Sequence, residues 1–261
     1  MASHPDSLDI DIPGLASQFI GGKWLERNPT FVDVISPTTE ESLVQVADPT
    51  PEDADAAVTA AREAFDNGPW PGMPVSDRVT VCRRLCDLLE ARMDQLNRAW
   101  AFESGPTLAH GAMINGTAGV SIWRQALELA PNLLWEEERD GALIWREPIG
   151  TVLGVLTFNG PIVLMGMKII PALLAGCTVI IKHAPESALT SRLIAEAIRE
   201  ADFPTGVVSV LAAGTKVSQH LVGHPGVDMV ALTGGTEIGV DVVKRTADRL
   251  ARTALELGGK S

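Results

Sequence analysis

Thr151-Val152-Leu153-Gly154-Val155-Leu156-Thr157-Phe158-Asn159-Gly160-Pro161, then an apolar stretch over 162–174, then Thr178-Val179-Ile180-Ile181-Lys182: this succession decides the fold. Its two outer runs are largely apolar and β-branched, without the alternation of a half-exposed strand, so both read as strands buried on two faces. The middle run has helix length. From 162 to 181 the single charge is Lys168, and twenty such residues match the length of a membrane span. Gly166, Pro171 and Gly176 punctuate the stretch, however, and it closes on β-branched residues. A buried helix leading into a buried strand accounts for that pattern better than a span does.

The alternation continues downstream. β-rich runs at 206–211, 228–233 and 254–257 are separated by helical stretches at 187–201, 215–222 and 236–249. Strand–helix units in series, closing on a last strand, predict an α/β fold: a doubly wound, Rossmann-like parallel sheet over 150–261 with helices on both faces. Ligands of such sheets bind beyond the carboxyl ends of the strands. That rim would carry Asn159, the segment 182–186, Gly214 and the segment 233–239.

Upstream the pattern differs. Residues 1–50 read as an N-terminal arm, with a short hairpin around Gly21-Gly22 and a strand near 31–35 stopped by Ser36-Pro37. A helical segment over 51–131 opens at Thr50-Pro51-Glu52-Asp53, an N-cap followed by proline at the first helical position. Ala54, Val58, Ala61 and Phe65 give that helix one apolar face. A second helix begins near Ser76, and its stripe is Val79, Cys82, Cys86, Leu89, Met93 and Leu96. That stripe makes Cys82 and Cys86 core residues, since no second pair or nearby histidine completes a metal set. A third helical region spans about 109–129. Over 132–149, Asp140-Gly141 between two apolar-flanked runs predicts a protruding hairpin of the oligomerisation type, reaching for a partner surface.

Composition narrows the function classes. The 261 residues carry 33 acidic against 21 basic side chains, a net charge of −12, with no basic cluster, which argues against a nucleic-acid partner. Three cysteines make no disulfide framework, and Met1-Ala2-Ser3-His4-Pro5-Asp6 has neither basic start nor apolar core. A reduced, cytoplasmic location is the expectation.

Local motifs leave alternatives open. Residues 254–261 formally match a phosphate loop, but the mechanism needs a helix after Lys260-Ser261, and the residues before the glycines read as a strand. Thr233-Gly234-Gly235-Thr236-Glu237-Ile238-Gly239 opens a helix after a strand, where a pyrophosphate could approach the backbone; a turn that merely needs glycine reads equally well. Asn159 could donate its amide to a developing oxyanion or cap a helix. Glu256 could act as a general base or stand on an edge strand facing solvent.

Their order is more specific. Asn159-Gly160-Pro161, Ala172-Leu173-Leu174-Ala175-Gly176-Cys177-Thr178-Val179-Ile180-Ile181-Lys182, Phe203-Pro204-Thr205-Gly206-Val207-Val208, Leu232-Thr233-Gly234-Gly235-Thr236-Glu237-Ile238-Gly239 and Leu255-Glu256-Leu257-Gly258-Gly259-Lys260 follow one another. In that order they resemble the NAD(P)-dependent aldehyde dehydrogenase superfamily. Phe19-Ile20-Gly21-Gly22-Lys23-Trp24 is similar to that family's opening hairpin, so the resemblance covers nearly the whole chain.

The resemblance implies oxidation of an aldehyde to a carboxylic acid. A cysteine thiolate forms a thiohemiacetal, hydride passes to the nicotinamide of NAD or NADP, and water hydrolyses the thioester. Asn159 would supply the oxyanion-stabilising amide and Glu256 the general base. Lys182 would bind the adenosine ribose, with Gly235 and Gly239 near the pyrophosphate. Phe158, Pro185, Glu186, Gly214, Thr233, Leu257 and Gly258 complete the expected cofactor site, and Lys168 falls where the family usually has a lysine. No metal is expected. The implied partners are a small-molecule aldehyde and, as in the family, further copies of the chain.

Three departures qualify this. The family's catalytic cysteine lies a few tens of residues beyond the glutamate motif, and this sequence ends five residues after Glu256. Pro185 stands where NAD-preferring members often carry a glutamate, Glu186 comes one residue late, and the choice between NAD and NADP stays open. Gly235 replaces a frequent serine. The expectation is a truncated portion that supplies cofactor site, oxyanion amide and base without the nucleophile or catalytic domain, inactive alone. The alternative is a non-catalytic dinucleotide-binding or interaction module.

Overall fold

The structure is a computed structural model and describes residues 9–27 and 29–260. The first six residues, read above for targeting signals, and Ser261 of the formal phosphate loop lie outside the described residues.

The chain opens with a hairpin, β1 (Gln18–Ile20) and β2 (Lys23–Leu25), followed by a second one, β3 (Phe31–Ile35) and β4 (Ser42–Ala47). Helix α1 (Pro51–Asp66) starts as its sequence dictates: the Thr50 hydroxyl accepts from the Asp53 amide while the Asp53 carboxylate accepts from the Thr50 amide. This reciprocal cap satisfies two of the amides a helix start leaves open. Its buried face is Ala54, Ala57, Val58, Ala61 and Ala64, with Phe65 only half-buried.

Helices α2 (Val75–Ala91) and α3 (Met93–Ser104) replace the single helix expected there. The break falls at Arg92, whose φ of −104° and ψ of 10° leave helical geometry, yet Val79, Cys82, Cys86, Leu89 and Leu96 of the stripe stay buried, with Met93 next to the break half-buried. The third helical region is α4 (Leu108–Gly111), a π-helical stretch over Ala112–Gly119, and α5 (Val120–Leu129). The hairpin β5 (Glu136–Arg139) and β6 (Ala142–Trp145) turns on Asp140 and Gly141, both at positive φ, 53° and 77°, as an Asp-Gly turn requires.

From there strands and helices alternate: β7 (Thr151–Val155), α6 (Pro161–Ala175), β8 (Thr178–His183), α7 (Ala188–Glu200), β9 (Val208–Ala212), α8 (Thr215–Gly223), β10 (Met229–Thr233), α9 (Thr236–Thr246) and β11 (Arg252–Glu256). The five strands from β7 to β11 are parallel neighbours. The whole sheet has seven strands in the order β11-β10-β7-β8-β9-β1-β2. The expectation of a parallel sheet needs enlarging, because the arm is part of it: Phe19 of β1 pairs antiparallel with Val210 of β9. Trp24 Nε1 donates to Glu196 of α7 at 2.9 Å, which ties the arm to the sheet's helical layer, and Gln18 donates to the Ala47 carbonyl at 2.9 Å, which ties its two hairpins together.

Two apolar layers cover the sheet. Val152, Val179, Ile181 and Val208 face α6 and α7, backed by α2 and α5. Leu153, Val155, Ile180, Leu211 and Leu232 face α1, α8 and α9. One close approach is at Gly166: a Cβ there would lie 2.5 Å from Trp123 Cδ1, so the absence of a side chain lets α5 and α6 pack this closely. Among the described residues no helix is long and apolar enough to cross a membrane; the stretch from 162 to 181 is a buried helix and strand.

Candidate functional site

The chain runs from β7 outward through β8 and β9, then jumps back across β7 to β10. A crevice at the carboxyl ends is expected where the winding reverses. There the structure has a cleft of about 550 Å³. Val155 of β7, Lys182 of β8, Ala213 after β9, and Leu232 and Thr233 of β10 form its floor, with α8 and α9 as one wall.

Lys182 follows Ile180 by two residues and so points to the same face of the sheet. It is 8% exposed, and among the described residues no carboxylate lies within ion-pair distance of its ammonium. Burial pushes its pKa down to about 8, and the charge of Glu186 works against that shift. His183 points to the opposite face, fully buried, and burial together with the Lys182 charge drives its pKa down to about 3. It is therefore neutral at physiological pH and adds no charge near the cleft.

Both helices of the wall start on glycine. Gly214 caps α8 and Gly235 caps α9, neither with a side-chain hydrogen bond. The first helical bonds run from Ser218 to the Gly214 carbonyl, 3.1 Å, and from Gly239 to the Gly235 carbonyl, 3.0 Å. The amides of the turns between them have no partner within their helices, and an uncapped helix start favours an anion. Neither glycine is needed by the chain itself: a Cβ on either would meet nothing within 4 Å, and their φ values are −72° and −70°. Thr233 Oγ1 is buried without a protein partner at the cleft floor.

Of the residues singled out by sequence, Phe158, Lys182, Pro185, Glu186, Gly214, Thr233 and Gly235 line this one cleft. The others do not. Gly239 is buried behind the first turn of α9, where a Cβ would stand 2.7 Å from Leu257 Cδ2; it lets α9 pack on Leu257. Gly258 follows at that junction, with Thr236 as its neighbour. Asn159 is exposed and its Oδ1 accepts from the Thr157 hydroxyl at 2.5 Å, while Gly160 takes the N-cap position of α6. Glu256 ends the edge strand with an exposed side chain, level with Thr233 in the ladder. It faces Lys168, whose pKa is lowered by burial and partly restored by the Glu256 charge.

Cys82, Cys86 and Cys177 are all buried and none lines the cleft. Burial pushes the pKa of each thiol upward, that of Cys86 to about 11. None of them is disposed to be a thiolate nucleophile.

Several cleft residues carried no motif, Ser218, Gln219 and Asp241, and Glu237 lay within a quoted motif without being singled out. Gln219 donates to Asp241 at 3.3 Å and Arg245 donates to the same oxygen at 2.7 Å, which joins α8 to α9 at the mouth. Helical spacing from the two glycine caps would have found them, since 218 and 219 lie one turn from Gly214, and 237 and 241 follow Gly235 along α9.

An open sheet with a cleft at its winding reversal, walled by two uncapped helix starts, defines the class: a doubly wound α/β protein. Comparison with known proteins is more specific. The aldehyde dehydrogenase family model matches residues 24–261, and the chain belongs to that family. It is 37% identical over 249 residues to geranial dehydrogenase of Castellaniella defragrans, covering 93% of this chain and 52% of that protein. It is 35% identical to phenylacetaldehyde dehydrogenase of Pseudomonas fluorescens, with 93% and 51% covered. A crystal structure of Mycobacterium tuberculosis aldehyde dehydrogenase complexed with NAD+ superposes with a TM-score of 0.90 at 37% identity, covering 94% of this chain and 52% of that one. The chain thus spans about half the length of the curated relatives it matches.

Proposed function

We propose that this chain forms the NAD(P)-binding portion of an aldehyde-oxidising enzyme. The observation that carries the reading is the cleft: an unpaired buried ammonium, Lys182, opposite two glycine-capped helix starts. A dinucleotide fits that donor set. Its diphosphate suits the free amides of α8 and α9, which bind without closing on a side-chain cap. Its ribose hydroxyls suit Lys182 as donor and Glu186 as acceptor. Thr233 Oγ1, buried and unpartnered, offers a further polar contact. The solved relative with NAD+ supports the same choice of ligand.

When bound, the nicotinamide supplies a hydride acceptor. This chain's residues then orient it and handle protons. Asn159, on the exposed loop after β7, is the candidate amide donor to an oxyanion. Glu256, on the same rim, is the candidate base, and Lys168 faces it. The three thiols are buried, so the described residues provide binding and positioning and no nucleophile. The substrate class is an aldehyde. The exposed apolar hairpin, with Leu143 and Trp145 each 60% exposed, supports self-association.

Titration of the chain with NAD+ and NADP+, followed by tryptophan fluorescence, tests the reading. A saturable response that Lys182→Met weakens at least tenfold is expected. No response to either dinucleotide would overturn it. In the same samples, an aldehyde added with NAD+ should produce no reduced cofactor; its accumulation, dependent on Glu256, would refute the claim that these residues lack a working nucleophile.

A further inference from the structure

Helix α3 contributes nothing to the lining of the cleft, yet its last turns hold two of the cleft's walls. Trp100 Nε1 donates to the Phe158 carbonyl at 2.7 Å. One turn later the Ser104 hydroxyl donates to the Glu186 carbonyl at 2.6 Å. Between them Glu103, 3% exposed, accepts on one carboxylate oxygen from the Leu189 amide at 2.6 Å. Its other oxygen accepts from the Thr190 amide at 2.8 Å and from the Thr190 hydroxyl. Residues 100, 103 and 104 share one face of the helix. What they grip is separated from them by 58 to 87 residues of chain.

The gripped segment is the single turn Pro185–Ser187 and the start of α7. Its own backbone bonds, Ser187 to the Ala184 carbonyl and Ala188 to the Pro185 carbonyl, shape the turn but tie it to no other element. Pro185 has no amide to offer. Ser187, at the N-cap of α7, makes no cap bond, and Glu103 does that work from another helix. Both carboxylate oxygens are used, so an amide at 103 would leave one α7 amide facing an NH2 group.

We propose that Glu103 and Ser104 are positioning residues that hold the Pro185–Glu186 wall of the cleft, so that α3 sets dinucleotide affinity without touching the ligand. The proposal rests on the reading of the cleft as a dinucleotide site. Loss of either anchor frees the wall beside Lys182, and a ligand must then order it on binding.

The test uses the full chain, with NAD+ titrations and hydrogen exchange of backbone amides. Ser104→Ala is expected to weaken NAD+ binding three- to tenfold, and Ser104→Thr, which keeps the hydroxyl, to return it to within twofold of wild type. Glu103→Gln should weaken it at least fivefold. In both weakened variants exchange should rise at 186–190 and stay unchanged in β9 and α9. Wild-type affinity in Ser104→Ala, or failure of Ser104→Thr to rescue, would overturn the proposal, and the mild Ser104 pair decides the matter even if Glu103→Gln fails to fold. Exchange that rises uniformly would reduce the anchors to general stability and equally overturn it. A wild-type chain that binds neither dinucleotide would instead refute the site reading, and exchange at 186–190 would still report whether the clamp holds the turn.

Discussion

Lys182 shows how one side chain can combine burial with charge. Its ammonium loses its proton near pH 8 in the fold and near 10.5 when unfolded. A depressed lysine pKa costs stability below about pH 8, a cost relieved as pH rises from 8 to 10.5. Ligand binding has the opposite sense, since an anionic or hydroxyl-bearing ligand needs the proton. Dinucleotide affinity should therefore fall about tenfold between pH 7 and 9, and Lys182→Met should flatten that profile in the same titration. Glu103 behaves differently: burial raises its pKa from 4.5 to about 7 against the donors that surround it. A raised carboxylate pKa lowers stability above about pH 7, and the loss is recovered as pH falls through 7 toward 4.5. Urea unfolding at pH 5 and pH 8 should show wild type losing about 2–3 kcal/mol relative to Glu103→Gln over that interval. Equal pH dependence in the two would show that Glu103 is ionised throughout.

At the level of elements, the starts of α8 and α9 are the features a ligand would use. Glycine caps leave both sets of amides free, and no neighbour forces glycine at either position. Gly235→Asp should therefore fold and gain about 0.5–1 kcal/mol, because a carboxylate cap satisfies the amides and the helix dipole. The same change should weaken NAD+ at least tenfold by occupying those amides and repelling phosphate. Thermal melting and titration of one variant would show the two effects moving in opposite directions. Much of this element was readable beforehand: a strand followed by Thr233-Gly234-Gly235 and an amphipathic helix announces a turn with room for an anion. The placement of Gly239 was not. The family resemblance implied a place near the pyrophosphate; in the fold its missing side chain leaves room for Leu257 against α9.

For the whole molecule, exposed apolar residues recur on β3, around the hairpin β5–β6 and along α9. Leu134, Leu143 and Trp145 are 60–62% exposed, and Leu250 is 88% exposed. Single exposed apolar residues are ordinary, but a hairpin presenting several on a charged frame is consistent with the self-association proposed above. The chain should elute above its 27.7 kDa mass in light-scattering chromatography. The double variant Leu143→Glu, Trp145→Glu should shift it toward that mass without loss of helical signal. An unchanged elution would place the association elsewhere.

The parallel strands, their connecting helices, the Thr50 cap and the Asp-Gly turn were legible because each rests on contacts within a few residues. Periodicity, caps and turn chemistry are local quantities. So was the position of the cleft, since doubly wound sheets open a crevice beyond the carboxyl ends of their strands. The strand order and the addition of β1 and β2 to it were not legible, because pairing across almost two hundred residues leaves no local pattern. Nor was the division of the glycines and acids between the cleft and its surroundings. Trp100, Glu103 and Ser104 are the clearest instance: in sequence they are ordinary helix residues. Only packing of α3 beside the ends of β7 and β8 gives their donors and acceptors something to hold. The residues proposed to bind a ligand sit in local motifs at strand and helix ends, whereas those proposed to hold these motifs still depend on neighbours distant in sequence.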